Sequence, residues 1–311
     1  MTARKKSAII FFMQWRIQSL HALDALFFVV VYMKDKTELM SIQPYFVLDA
    51  DNFCQRVLFQ NGISHFFSFC NSSDSDITVK LFVDGCSNII FEYGIDNDGG
   101  LTVRSHFIGS IMEPRSFCVR KGCEYFCARL QPSAAGVIKE ICAKESIGKI
   151  VILDEFPSMK EFCLAMREQK DFDSRMKTFL DYYGKLVQKE DEQSRTELFR
   201  QIADIIVQHR GMIKVCELEK LSGYSSRYIN LIFDNELGFS AKQLCMSVKF
   251  QFLLNDLNCG TSHSFTNLSS EYKFYDQSHF IHEFKNCTGT TPSEYALEVS
   301  EKKYAQNIMN V

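Results

Sequence analysis

The sequence has no surplus of positive charge, since 35 lysine and arginine residues stand against 38 aspartate and glutamate residues. The formal net charge of −3 argues against indiscriminate coating of nucleic acid, although it allows a local basic patch. The P-loop, G-x-G-x-x-G and G-x-S-x-G patterns are absent as well. Motifs therefore give no grounds for a nucleotide-dependent enzyme or a serine hydrolase.

Metal-ligand patterns are scarce in the part of the chain that favours strands. Between Met33 and Lys144 there are two histidines, His65 and His106, and no H-x-H spacing. A catalytic metal centre of this kind usually needs several histidines and a carboxylate. We therefore expect no metal, no other cofactor and no enzymatic activity.

Cysteine is frequent, but its pattern is not that of a disulfide framework. The 12 cysteines are spread along the chain without dense spacing, and no secretion signal precedes them. We interpret them as reduced thiols of a cytoplasmic protein. Cys118, Cys123 and Cys127 lie closest together, and they are interpreted as buried apolar thiols, with thiolate metal sensing or redox sensing as the alternative.

Long hydrophobic runs are also missing. Two apolar stretches near the beginning, residues 8–13 and 25–32, fall short of the roughly 18 to 20 residues needed to span a bilayer. We expect residues 1–32 to be an extension that is not translated, with synthesis beginning at Met33 or Met40. A membrane-associating segment is the alternative.

From Pro44 to about Gln131 the sequence favours short strands, separated by turn signals such as Asn61-Gly62. The strands are predicted at residues 66–70, 78–83, 88–93, 101–111, 117–120 and 125–130. Six short strands at regular spacing are typical of a barrel or a sandwich. A first helix is predicted over residues 133–144.

The hydrophobic period changes at Pro157, which suits the first turn of a helix running to about Gln169. Asp171 is placed to cap a second helix, whose apolar positions recur three and four residues apart. These two helices either pack against their own domain or form a homodimer. A polar stretch at residues 189–195 is the predicted linker.

The linker divides the chain into a strand-rich domain, residues 33–188, and a helical domain, residues 196–311, so that the predicted class is α+β. The helical domain contains one pattern twice, over residues 215–235 (the first unit) and residues 265–287 (the second unit). Each is a short helix, a tight turn and a longer helix, joined by a connecting helix that begins after Ser240. Two helix-turn-helix units on one domain are suited to two successive major grooves of a DNA duplex.

In the first unit Gly223 lies at the turn, where φ is often positive, and Ser225 or Ser226 is expected to cap the longer helix. The candidate DNA-binding residues on the outer face of that helix are Ser226, Arg227, Tyr228, Asn230 and Leu231. Arg227 is suited to a guanine edge and Asn230 to adenine.

In the second unit Asp276 is expected to cap the longer helix, and Lys273 takes the turn position. The candidate DNA-binding residues there are Gln277, Ser278, His279, His282 and Lys285. From residue 195 onward there are 12 lysines and arginines against 13 aspartates and glutamates. Because phosphate neutralisation supplies much of DNA affinity, the positive charge has to be placed asymmetrically, or binding will be modest and sensitive to salt.

Residues 196–298 resemble the AraC/XylS family of bacterial transcription regulators. The resemblance depends on S-G-Y-S-S-R-Y-I-N-L-I-F followed by glycine, on the connecting helix, and on F-x-D-Q-S-H-F-x-x-E-F-K-x-x-x-G-x-x-P-x-x-Y. It implies two recognition helices in adjacent major grooves. The base-facing positions that it implies are Arg227, Asn230 and Leu231 in the first helix and Gln277, Ser278 and His282 in the second.

The chain departs from this family at four positions. Leu231 and His282 stand where arginine is common, Lys273 where glycine is usual, and Ala296 where arginine often ends the motif. These departures bear on the strength and sequence preference of DNA binding and not on the fold.

A second stretch, V-D-G-C-S-N-I-I-F at residues 83–91, resembles the cupin-like sensory domain of one branch of the same family. The resemblance implies an effector-responsive activator, with promoter DNA, RNA polymerase and an unknown small molecule as partners. The strand phenylalanines are candidates for the lining of an effector pocket, with core packing as the alternative: Phe67, Phe69, Phe82, Phe91, Phe107 and Phe126. Arg104 or Arg129 is a candidate to orient an anionic ligand in such a pocket, with a surface position as the alternative. An interaction protein that kept the fold but binds DNA weakly or not at all is the competing function.

Overall fold

The computed structural model describes residues 39–96, 98–134, 136–188, 194–258 and 264–311. The predicted extension over residues 1–32 and most of the predicted linker, residues 189–193, lie outside these ranges. In the described part the amino-terminal domain is mostly strands and the carboxyl-terminal domain is helical, so the predicted α+β class is confirmed. None of the helices described is long and apolar enough to cross a membrane.

The strands are β1 (Asp51–Gln60), β2 (Ile63–Cys70), β3 (Ile77–Leu81), β4 (Ser87–Ile95), β5 (Leu101–Ile108), β6 (Arg115–Val119), β7 (Glu124–Leu130), β8 (Ile150–Ile152) and β9 (Met309–Asn310). Seven of them form one sheet in the order β8-β5-β4-β7-β2-β1-β9, and β3 pairs with β6 separately. The neighbours β4 and β7 are buried along nearly their whole length, which fits their central position.

The main sheet separates two hydrophobic cores, because successive side chains of a strand point to opposite faces. Phe66 of β2 packs in one core with Phe162 and Phe179, whereas its neighbour Phe67 lies in the other core, which continues into the helical domain. The six strand phenylalanines considered for an effector pocket are divided between these faces. Phe67, Phe69 and Phe82 belong to one side, and Phe91, Phe107 and Phe126 to the other.

The beginning of the strand-rich domain differs from the prediction. Helix α1 (Pro44–Leu48) opens it, and β1, which was not predicted, follows. Positive φ angles at Asn52 and Phe59 accompany shifts in the pairing of β1 with β2, so the strand lacks a regular alternating pattern. The Asn61-Gly62 turn joins β1 to β2 with positive φ at both residues, as a tight hairpin requires.

The single helix predicted over residues 133–144 is wrong. The chain forms a short 3₁₀ turn at Pro132–Ala134, then irregular turns, and only then the four-residue helix α2 (Ala143–Ser146). Gly136 has a φ of +81°, which no right-handed helix accommodates. The apolar residues of this segment still pack on the sheet, and their spacing misled the helix prediction.

The two helices predicted after Pro157 are present. Pro157–Met159 forms a 3₁₀ turn that leads into α3 (Lys160–Arg167), and α4 (Phe172–Gln188) follows. Asp171 caps α4, since its Oδ1 accepts a hydrogen bond from the Ser174 amide at 2.9 Å. Both helices pack on the sheet, as Phe162 and Phe179 illustrate. Dimerisation through them stays a prediction.

The helical domain contains α5 (Ser194–Gln208), α6 (Val215–Ser222), α7 (Ser226–Glu236), α8 (Ala241–Asn258), α9 (Phe265–Glu271), α10 (Gln277–Thr288) and α11 (Pro292–Glu301). Their bounds agree with the prediction to within about one residue where it was made. The predicted cap of α8 is present, because Ser240 Oγ accepts from the Gln243 amide at 3.3 Å.

The helical domain is docked on the sheet domain at the Asp84-Gly85 turn. A Cβ at Gly85 would lie 3.3 Å from Leu244 of α8, so a residue without a side chain lets this helix approach closely. Gln251 of α8 donates to the Val83 carbonyl at 2.6 Å. After α11 the chain returns to the sheet, where β9 pairs in parallel with β1 and forms the edge of the sheet. The two domains therefore share a core and a sheet.

Candidate nucleic-acid interface

The turn of the first unit is built as the sequence predicted. Gly223 ends α6 with a φ of 76°, and its amide donates to the Glu219 carbonyl at 2.9 Å. Ser225 is the N-cap of α7, and its Oγ accepts from the Tyr228 amide at 3.3 Å. The Ser226 amide donates to Glu219 Oε1 at 2.6 Å, and this bond lowers the pKa of the Glu219 carboxyl. Glu219 thus fixes the start of the recognition helix.

Helix α7 has one buried face and one exposed face. Ile229, Ile232 and Phe233 are buried in the core, whereas Arg227 is exposed and Leu231 has 53% of its surface exposed. The predicted outward direction of Arg227 and Leu231 is therefore observed. A guanidinium in this position is able to reach a groove without rearrangement of the helix.

The other predicted residues of α7 are only partly exposed. Tyr228 stacks on Tyr224, with ring centroids 5.4 Å apart and an interplanar angle of 29°. The Oδ1 atom of Asn230 is buried and has no hydrogen-bond partner among the described residues. A bidentate contact from Asn230 to adenine needs both amide atoms, so its side chain has to rotate outward first.

The second unit also turns through a residue with positive φ, but its turn is longer, with five residues between α9 and α10 against three between α6 and α7. Lys273 has a φ of 53°, in the left-handed region that glycine enters most easily. Asp276 caps α10, because its Oδ1 accepts from the His279 amide at 2.7 Å. Phe280 and Phe284 are buried below the helix, as predicted.

The outer face of α10 carries the predicted contact residues. Gln277, Ser278, His279, His282 and Lys285 are all exposed. The Nδ1 atom of His282 lies 3.2 Å from the Asn286 side-chain amide and 3.5 Å from the Glu283 carboxylate. This face offers polar groups and one lysine, which is little fixed positive charge for a DNA interface.

Helix α8 joins the two units through a shared core. Leu244, Val248 and Leu253 are buried, and Phe250 packs edge to face on Phe284 of α10 at 5.6 Å. The two units therefore pack on one continuous core.

Much of the positive charge of the helical domain is committed to internal contacts. Arg210 pairs with Asp256 at 3.0 Å, and Lys249 lies 3.8 Å above the ring of Phe274. Burial lowers the pKa of Lys249. Lys302 pairs with Glu298 at 2.9 Å. These contacts stabilise the fold, and the exposed cations of the two units are Lys220, Arg227, Lys273 and Lys285.

One contact of the recognition region was not foreseen. Lys144 of α2 pairs with Asp234 near the end of α7, with Nζ 2.8 Å from Oδ2. Gly238, which follows α7, lies against the backbone of Lys144. The sheet domain thus braces the first unit at the end of α7 opposite the exposed Arg227. No local sequence signal marks a pair of residues so far apart in the chain.

The candidate metal and thiol sites gain no support from the geometry. Among the described residues no group of three or more histidines, cysteines, aspartates or glutamates is placed to hold a metal ion. Cys123 and Cys127 are buried as predicted, and burial raises the pKa of both thiols, whereas the prediction of a buried thiol is wrong for Cys118, which is exposed. A protonated thiol is a poor metal ligand and a poor nucleophile.

Two arginines were considered as anchors for an anionic ligand. Arg129 has 1% of its surface exposed and pairs with the buried Asp84, and it also donates to Ser41 at 2.7 Å. Arg104 pairs with Glu92 at 2.7 Å. Ser41 in turn donates to Gln251 of α8 at 3.0 Å. Arg129 is therefore part of the buried hydrogen-bond network between the sheet domain and α8.

A family model described as a helix-turn-helix domain matches residues 218–297. No curated protein matches the chain.

Among solved structures, ToxT from Vibrio cholerae O395 is 11% identical, with 80% of this chain and 98% of that chain covered and a TM-score of 0.40. ToxT from Vibrio cholerae strain SCE256, bound to an unsaturated fatty acid, is 10% identical, with 74% and 98% covered and a TM-score of 0.38. Likeness of this degree carries no functional argument. The family match contains the turns of both units and the helix between them, and the chain therefore carries an AraC-type helix-turn-helix domain in its carboxyl-terminal part.

Proposed function

We propose that the protein is a sequence-specific transcription regulator that inserts α7 and α10 into successive major grooves of promoter DNA. The observation that carries this proposal is the pair of capped helices with exposed outer faces, held on the single core helix α8. A fixed separation between two recognition helices is useful for reading two grooves and is not needed for most other activities.

Roles follow from the chemistry of the exposed side chains. Arg227 contacts a guanine edge, and Asn230 contacts adenine after its amide rotates outward. Gln277 and Ser278 contact base edges from α10, with His279 and His282 beside them. Lys285 neutralises a phosphate. Ser226, Tyr228 and Leu231 complete the proposed surface, with Leu231 suited to the methyl group of thymine.

The domain arrangement supports regulation by a small-molecule effector. A cleft of about 600 Å³ lies between the sheet domain and α5, lined by residues that include Asn61, Gln131, Ser133, Arg200 and Gln208. A ligand in this cleft would touch both domains and would shift the population of their relative orientations. We propose that such a shift, or dimerisation through α3 and α4, controls promoter binding in the cytoplasm and contact with RNA polymerase.

The charge balance favours a second candidate function. With 12 cations against 13 acidic residues from residue 195 onward, the protein could act as a regulatory interaction partner that binds DNA weakly or not at all. The two candidates differ in one measurable property, which is salt-dependent binding to a specific promoter.

The test is a mobility shift of the full-length chain on the DNA upstream of its own gene, across a series of salt concentrations. The proposal predicts a shift that weakens with salt, and an Arg227→Ala variant that binds about ten-fold or more weakly. Arg115→Ala is the matched control, because Arg115 is an exposed arginine of the sheet domain that lies outside α3, α4 and the cleft. Absence of any salt-dependent shift would favour the interaction protein.

A further inference from the structure

A tyrosine directly precedes the N-cap of both recognition helices. Tyr224 stands before Ser225 in the first unit, and Tyr275 stands before Asp276 in the second. Their exposed fractions are 44% and 93%, and Tyr275 is the most exposed large hydrophobic residue in the described part of the chain. Two units of different sequence therefore present the same side chain at the same place.

The backbone on both sides of Tyr224 is fixed. Gly223 turns the chain with a φ of 76°, and Ser225 is held by its cap on the Tyr228 amide. The ring of Tyr224 stacks on Tyr228, which lies one turn into α7. The stacked pair forms an ordered aromatic surface beside the start of the recognition helix.

The neighbours of Tyr275 are fixed as well. Phe274 turns inward, with its ring 5.4 Å from Phe280 and below the ammonium group of Lys249. Asp276 is held by its cap on His279. Because the residues on either side are anchored, the ring of Tyr275 projects from an ordered turn rather than from a loose loop. An exposed aromatic ring on an ordered turn is suited to contact with a partner.

The chemistry of the side chain indicates which DNA group it meets. Residues next to the N-terminus of a recognition helix lie at the wall of the major groove, where the phosphate oxygens are. A tyrosine hydroxyl donates a hydrogen bond to such an oxygen but carries no charge, so it displaces no counterion. A domain with little positive charge gains affinity from such donors.

We propose that the hydroxyls of Tyr224 and Tyr275 donate hydrogen bonds to DNA phosphates at the edges of the two grooves. This inference rests on the proposed function, because it assigns a role within the same interface. The two tyrosines supply affinity that depends little on salt, and they complement Arg227 and Lys285, whose contacts release counterions.

The test uses the variants Tyr224→Phe and Tyr275→Phe in the full-length chain, which keep the ring and remove only the hydroxyl. Tyr125→Phe is the matched control, since it removes a hydroxyl that is bonded to Glu92 inside the sheet domain, outside both units and outside α3 and α4. We expect each recognition-unit variant to bind the promoter about ten-fold more weakly, with an unchanged slope of log affinity against log salt. The control is expected to bind like the natural protein, and the two recognition-unit variants are expected to unfold at the same temperature as the natural protein.

The outcomes separate this inference from the proposed function. If the natural protein shifts the DNA in a salt-dependent way and both phenylalanine variants bind equally well, the tyrosines are not contact residues and the proposed function stands. A reduced salt slope in either variant would also overturn the inference, because it would show loss of an ionic contact. If the natural protein shifts no DNA, the proposed function fails and the inference fails with it.

Discussion

The first unit turns at Gly223, two residues before the N-cap Ser225, whereas the second unit turns at Lys273, three residues before the N-cap Asp276. Both residues have positive φ, at 76° and 53°. A side chain in this region costs on the order of 1 kcal/mol or slightly more, because Cβ approaches the neighbouring carbonyl oxygen. The second unit therefore holds backbone strain that the first avoids. Both turns thus contain a residue in the left-handed region, while their length and local stability differ.

The two units also differ in what holds them to the sheet domain. The first is braced directly, at the end of α7, by the contact of Lys144 with Asp234. The second also contacts the sheet domain directly, where the Val83 amide donates to the Cys287 carbonyl of α10 at 3.1 Å, and it is held again through α11, where Tyr45 donates to Glu298 at 2.6 Å. A rotation between the domains would consequently break different contacts for each unit, and an effector could change their spacing relative to DNA.

The largest effect is expected where the first unit contacts the sheet domain, at Gly238 and Lys144. Gly238 has a φ of 78°, and a Cβ there would collide with the backbone of Lys144. We expect Gly238→Ala to lower the free energy of unfolding by about 2 to 4 kcal/mol, from backbone strain and overpacking together. Denaturant unfolding of the full-length chain measures this. Gly223→Ala is the control, since its φ is similar but no atom lies within 4 Å of the added Cβ.

The strain at the second turn is expected to be relieved by glycine. Lys273→Gly should raise the free energy of unfolding by up to about 1 kcal/mol, and Gly223→Lys should lower it by about the same amount. The reverse substitutions make a matched pair for thermal unfolding. Equal and opposite shifts in the free energy of unfolding support the strain assigned to Lys273. No shift for Lys273→Gly would mean that the second turn carries no more strain than the first.

Loss of either N-cap is expected to have a similar effect in the two units. Ser225→Ala and Asp276→Ala each remove the acceptor for an amide of the first helical turn. We expect a loss of about 1 kcal/mol of stability in each case, measurable by chemical denaturation. Asp276→Asn, which keeps the capping oxygen, should retain most of the stability. An Asp276→Ala variant as stable as the natural protein would contradict the assigned cap.

The smallest effect is expected for the ion pair between Lys144 and Asp234. The side chains of Lys144 and Asp234 are 58% and 50% exposed, so solvent screens their attraction. A double-mutant cycle with Lys144→Gln and Asp234→Asn should give a coupling of about 0.5 kcal/mol or less, which decreases as salt increases. A coupling above about 2 kcal/mol would show that charge, and not the close approach at Gly238, holds the first unit.

The helical domain was predicted well because its signals are local. The caps at Ser225, Ser240 and Asp276 and the glycine at Gly223 lie within a few residues of the helices that they delimit. The outward direction of Arg227 and Gln277 followed from the same helical period. The local hydrophobic period is enough to predict which side chains face outward when each helix has one buried face and one exposed face.

The features that were missed depend on distant parts of the chain. β9 is two residues long and exists because it pairs with β1, some 250 residues earlier. β1 itself is irregular, and the apolar spacing of residues 133–144 was mistaken for a helix although Gly136 interrupts it. The partial burial of Asn230 also depends on tertiary packing, which the helical period alone does not predict.

The central claim is that two recognition helices on one body read two grooves of one duplex. A hydroxyl-radical footprint of the full-length chain on its own upstream region tests this directly. Two protected segments about 10 base pairs apart on one face of the DNA are predicted. Arg227→Ala should weaken one of them and Gln277→Ala the other. A single protected segment that neither substitution alters would contradict the account.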